Sequence, residues 1–184
     1  MKENPHDIMV LALDLRLRRF GFAVLEGPRE LLEWGVKNYR SAGKNDAAVV
    51  QKRIGSLLTL FLPSVIVVKH TPDRNGKRRH QYEPIVKAIE YSAGRQSAEI
   101  VLVRRNEVRS VFGRPGITKY EIAAHIAALF PDLTWKLPPT RKFYENEHHN
   151  ASIFDAVSLG LTYFAQLRDI AGGDHQRPRV RPPS

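Results

Sequence analysis

Apolar and polar positions in the first forty residues fall into three short runs. Residues 8–14, IMVLALD, are almost continuously apolar and close on an acid, the pattern of a buried central strand. After the turn LRLRR comes FGFAVLE, where Phe20, Phe22 and Val24 alternate with other residues. GPRE is a tight turn, and LLEWGVKNY (Leu31 to Tyr39) is a third strand-like run. Turns this short make consecutive strands antiparallel neighbours.

The period then changes. Asn45 or Asp46 is placed to cap a helix through about Phe61, with Val49, Ile54, Leu57, Leu58 and Phe61 as its apolar stripe and Pro63 as its stop. SVIVVKH is a β-branched fourth strand, reached by a helical crossover that allows it to run parallel to the first. Tyr82 to Gly94 reads as a helix with Gly94 as its end, and Ala98 to Val103 as a fifth strand. Thr118 and Glu121 form a capping box ahead of Ile122, Ile126 and Leu129. The stretch PDLTWKLPPTRKFYENEHH is an irregular connection, after which Asn150 caps a last helix bearing Ile153, Val157, Leu161 and Phe164. The pattern predicts one α/β domain over residues 1–171, a mixed five-stranded sheet flanked by helices in the order β-β-β-α-β-α-β-α-α. Residues 172–184, GGDHQRPRVRPPS, read as a disordered basic tail. Several folds share that order.

Composition narrows the class. The 184 residues contain no cysteine, which excludes disulfides, thiolate metal sites and a Cys nucleophile. No run is long and apolar enough to span a bilayer, and the first residues lack a secretory pattern, so a cytoplasmic protein is expected. Charge is more informative: 29 Lys and Arg against 19 acids leave a net +10. The clusters are Arg16, Arg18 and Arg19, then Arg78 and Arg79 in RNGKRR, then Arg105 and Arg109 in VRRNEVR. Such a surface suits a polyanion, because each cation set on a phosphate releases condensed counterions. A merely solvated basic surface or a membrane-facing patch has the same composition.

Asp14 closes a buried strand, where an acid is costly unless paired, bound to a cation or capping the next turn. Asp155 lies one turn into the last helix, where it would also complement the helix dipole. Two carboxylates brought together would suffice for Mg²⁺ together with substrate phosphate. Glu145, Glu147, His148 and His149 crowd the loop before that helix; Glu147 could add a metal ligand, and His149 could bind metal or activate water. ENEHHN is equally an ordinary polar loop. Lys69, at the end of the fourth strand, could polarise water in a hydrolytic site.

These residues also carry a resemblance. LALDLRLRRFGFAVLE followed by LLEWGVKNY resembles the opening of the RuvC-type Holliday junction resolvases: an apolar strand, Asp, a short turn, L-R-R, one residue, Gly and a second strand. VRSVFGRPGITKYEIAAHI resembles that family's basic stretch, with Gly113 and Lys119 at its spacing, and IFDAVSLGLTYF resembles its last-acid helix. The resemblance spans roughly residues 8–168. It implies an RNase H-like fold and an endonuclease that uses Mg²⁺ or Mn²⁺ on branched DNA, usually as a homodimer. On it Asp14 matches the first catalytic acid, Asp155 the last, and Arg109 and Lys119 the basic positions that meet the DNA backbone. Three positions depart: Lys69 stands where the family has Glu, Ser152 where it has an acid or His, and Leu15-Arg16 where it has Pro-Gly. Two other readings therefore accompany the endonuclease: a degenerate protein that binds nucleic acid without cutting, and a YqgF-type nuclease acting on RNA.

Overall fold

In the computed structural model the described residues are 7–16, 18–39, 46–70, 77–113, 116–140 and 148–173. The chain opens with three strands, β1 (Met9–Leu15), β2 (Arg19–Glu26) and β3 (Glu30–Asn38). Then follow α1 (Asp46–Phe61), β4 (Val65–Lys69), α2 (Lys77–Gln96) and β5 (Glu99–Val103). The remainder is helical: α3 (Arg105–Val111), α4 (Lys119–Leu129), a 3₁₀ helix (Pro131–Lys136) and α5 (Ala151–Gly173). The strands form one sheet in the order β3-β2-β1-β4-β5. The β1–β2 and β2–β3 pairs are antiparallel, and β1–β4 and β4–β5 are parallel. The expected mixed five-stranded sheet is thus present, with β1 at its centre.

Alternation along the strands separates two cores. Val10, Ala12, Ala23, Leu25, Val65 and Val67 face one side, under Ile126 of α4 and Phe154, Val157 and Phe164 of α5. Leu11, Leu13, Phe20, Phe22, Ile66 and Val68 face the other, against Ile54 and Leu58 of α1 and Ile85 and Ile89 of α2. Both faces of β1 are covered, which is why its sequence reads as a continuous apolar run rather than an alternating one.

Several boundaries differ from expectation for local reasons. Helix α2 begins at Lys77 and continues through Gly94 to Gln96. Nothing lies near the position of a Gly94 Cβ, and the chain leaves the helix instead at Ser97, with φ of 56°. Helix α3 was not expected; its start is fixed by Glu107, whose Oε2 accepts the Arg104 N–H at 2.6 Å. The connection read as irregular contains the 3₁₀ helix, opened by Pro131. The Thr118–Glu121 capping box forms as read: the Glu121 N–H donates to Thr118 Oγ1 at 3.2 Å, and the Thr118 N–H donates to Glu121 Oε2 at 2.8 Å. Asn150 contributes differently from the side-chain cap expected of it. Its carbonyl accepts the Ile153 N–H, while its side-chain amide donates to the Lys136 carbonyl at 3.2 Å, tying the 3₁₀ helix to the start of α5. Helix α5 itself runs to Gly173, two residues past the expected domain end. The remainder of the tail, 174–184, lies outside the described residues. Among the described residues no helix is long and apolar enough to cross a membrane.

Candidate functional site

The site forms where the parallel strands β1 and β4 end together. Their register pairs Leu13 with Val68, so Asp14 and Lys69 follow side by side. Asp14 continues the Val10–Ala12 series and therefore belongs to the face covered by α5. Across β1–β2 its partner is Gly21. A Cβ at Gly21 would overlap the Ser152 carbonyl, so the missing side chain is what lets the first turn of α5 rest on the sheet. Asp155, one turn further along α5, is thereby brought to the end of β1.

Three cations join the two acids. Lys69 Nζ donates to Asp14 Oδ1 at 3.2 Å. Arg16 donates from Nε to Asp14 Oδ2 and from Nη2 to Asp155 Oδ2, both at 2.6 Å. Lys119, the first residue of α4, donates to Asp155 Oδ2 at 2.7 Å. The Asp14 side chain is wholly buried, whereas those of Arg16, Lys69 and Lys119 are 22%, 29% and 36% exposed. Burial raises the Asp155 carboxyl above its ordinary range; the charge of Asp14 adds to this, and Lys119 and Lys69 pull the other way. Ser152 is also fully buried, and its Oγ has no hydrogen-bond partner, an exception among buried hydroxyls.

Beside this centre a pocket is lined by Lys69, Arg105, Arg109 and Lys119 over an apolar floor that includes Val108 and Ile122, with Asp155 at its side. Helix α3 supplies both arginines. The pocket unites four residues singled out separately in the sequence, three as contacts for nucleic acid and Lys69 as a catalytic candidate. It presents hydrogen-bond donors from four cations, an arrangement suited to a phosphate oxygen.

The other candidates fall elsewhere. Arg16 was expected to meet nucleic acid, but its described bonds point inward to the two acids. A residue two positions beyond Asp14 shares its side of an extended chain, and that spacing is the signal that could have revealed the bridge. Arg18 is exposed at the adjoining turn, and Arg19 begins β2. His149 is exposed before α5. Its pKa lies below the ordinary histidine value through partial burial first, then the charges of Arg19, His148 and Lys136. Arg78 and Arg79 lie in the first turn of α2, but their side chains are outside the described part. Glu145 and Glu147 also lie outside the described residues.

No family model matches the chain, and no curated protein does. Solved structures do. RuvC of Thermus thermophilus in complex with a Holliday junction substrate superposes with a TM-score of 0.67 at 16% identity, over 87% of this chain and 96% of that one. The yeast mitochondrial Holliday junction resolvase Ydc2 gives 0.62 at 15% identity, over 92% and 84%. The chain has the RuvC-type, RNase H-like fold. The fowlpox virus Holliday junction resolvase is more distant, with a TM-score of 0.51 at 15% identity over 87% and 99%. At such identities the likeness establishes the architecture and leaves the chemistry to the residues.

The metal implied by a RuvC-type fold can be tested against those residues. A divalent ion such as Mg²⁺ needs hard oxygen donors and a site of negative charge. Here both oxygens of Asp14 already accept from cations, and Asp155 Oδ2 accepts from two. Among the described residues no three of His, Asp and Glu come together as a metal group. The arrangement does not fit a divalent ion.

Proposed function

We propose that this chain is a RuvC-type protein that binds branched DNA, holding backbone phosphates in the pocket of Lys69, Arg105, Arg109 and Lys119. The convergence of those four cations at the strand ends, beside Asp14 and Asp155, is the observation that carries the reading. The net charge of +10 supports it, as does likeness in fold to a RuvC bound to a junction. Contacts of this kind position a duplex without reading its bases. A homodimer accompanies the reading, since a two-fold assembly matches the symmetry of a four-way junction.

A second reading, a metal-dependent endonuclease on branched DNA, is favoured by one observation: both carboxylates sit at a single point of the sheet edge, joined through Arg16. It requires Arg16 and Lys69 to leave Asp14. The deciding experiment presents a labelled four-way DNA junction, linear duplex, single strand and structured RNA to the protein. Mg²⁺, Mn²⁺ and EDTA are compared, with Asp14→Asn as control. Junction binding in EDTA without cutting is the expected result. Metal-dependent junction cutting lost in the variant selects the second reading, and preference for RNA selects a YqgF-like role.

A further inference from the structure

Both oxygens of Asp14 and Oδ2 of Asp155 are engaged by side-chain cations without any metal ion. Arg16 spans Asp14 and Asp155, Lys69 holds the second oxygen of Asp14, and Lys119 adds to Asp155. Two negative and three positive formal charges leave the group net positive, whereas a site for a divalent cation must be net negative. We infer that Arg16, Lys69 and Lys119 take the place of a divalent ion in this centre, making it a metal-free anchor whose own cations meet a phosphate.

Three features keep those cations where they are. Lys69 is carried on β4, whose register is pinned by β1 on one side and by the Lys69–Val103 pairing with β5 on the other. Arg16 stands at the hairpin turn, where its N–H donates to the Arg19 carbonyl at 2.9 Å. Asp14 has no exposed surface, and a buried carboxylate without counter-charge is strongly disfavoured, so departure of one cation would leave a buried oxygen unsatisfied and departure of both would leave an unpaired charge inside the protein. A bound phosphate needs no such departure. Lys69 and Lys119 are partly exposed and line the pocket beside Arg105 and Arg109, so each is placed to serve an aspartate on one side and an incoming anion on the other.

The inference rests on the proposed DNA binding only for its anion; its statement about metal is tested on the protein alone. Mn²⁺ is titrated into the full chain without DNA, with bound metal read by the loss of the free-ion paramagnetic resonance signal and with thermal unfolding followed in parallel. Wild-type protein is expected to show no saturable binding and the same midpoint in Mn²⁺ as in EDTA. The double variant Arg16→Ala/Lys69→Glu, which removes two cations and adds a carboxylate, is expected to gain Mn²⁺ affinity by at least about tenfold. Saturable binding by the wild type that Asp14→Asn abolishes overturns the inference, and so does a folded double variant that gains none. The wild-type titration stands even where the double variant fails to fold. Absence of junction binding, measured separately, would sink the DNA reading and leave the metal result intact.

Discussion

Gly21 lies directly beneath Ser152, and a Cβ there would come 2.7 Å from the Ser152 Cβ while overlapping its carbonyl. Because Gly21 is also the cross-strand partner of Asp14, this one close approach fixes how far α5 stands from the acid at the end of β1. Gly21→Ala is expected to destabilise the fold by about 3 kcal/mol, since backbone must move to admit the methyl group. Gly55→Ala serves as the control: it sits within α1 with nothing near its Cβ position and should stabilise by about 0.5–1 kcal/mol. Chemical denaturation of the two variants gives both signs.

Asp14→Asn separates a structural ion group from a strained catalytic one. Breaking a buried ion pair typically costs about 3–5 kcal/mol. The partners Arg16 and Lys69 are 22% and 29% exposed and can be partly rehydrated, which reduces the expected loss to about 1–3 kcal/mol. A variant more stable than wild type would mean that the acid is held against the preference of the fold, as at active sites.

Salt dependence tests the pocket. Each phosphate neutralised by a cation contributes about 0.9 to the slope of log affinity against log salt for B-form DNA. Arg109→Ala is expected to lower that slope by about one and to weaken junctions of different sequence alike. Arg53→Ala, on α1 across the sheet, should leave it unchanged. Fluorescence anisotropy over a salt series measures both.

His149 gives a pH dependence whose sign follows from its environment. Partial burial and the charges of Arg19, His148 and Lys136 lower its folded pKa, so between that value and 6.5 the unfolded chain holds more protons. Its contribution to stability therefore rises with pH through this window, is complete above 6.5, and is lost as pH falls toward the folded value. Unfolding free energies measured across the window should climb less steeply in His149→Gln than in wild type, and an NMR titration of the ring should place its midpoint below 6.5.

The first two strands were legible because each follows a simple pattern: Phe20, Phe22 and Val24 alternate against α1 and α2, and the run from Val10 to Leu13 is covered on both faces. Helix α3 escaped notice because Val108 is its one buried residue, and Arg104 stands at the capping position where Ser or Thr would have signalled a start. Gly94 misled for the opposite reason, since a glycine with open space around it need not end a helix. Asp14 and Asp155 are far apart in the chain, and no spacing rule joins them; their likeness to a family motif suggested the meeting and the fold brings it about. That motif could not reveal how the centre is filled. The inward turn of Arg16 depends on the distance between α5 and the sheet, which a linear pattern does not encode.

Helix α5 packs against every strand of the sheet, yet it is the last described element to be synthesised. Until it emerges from the ribosome, one face of the β1–β2–β3 meander has no cover, and Asp14 has no Asp155 with which to share Arg16. Contacts across such a long stretch of chain are slow to form, and apolar surface exposed meanwhile invites association between nascent chains. Assembly of the centre therefore waits on α5, and the amount of this protein a cell accumulates should depend on how promptly that helix docks.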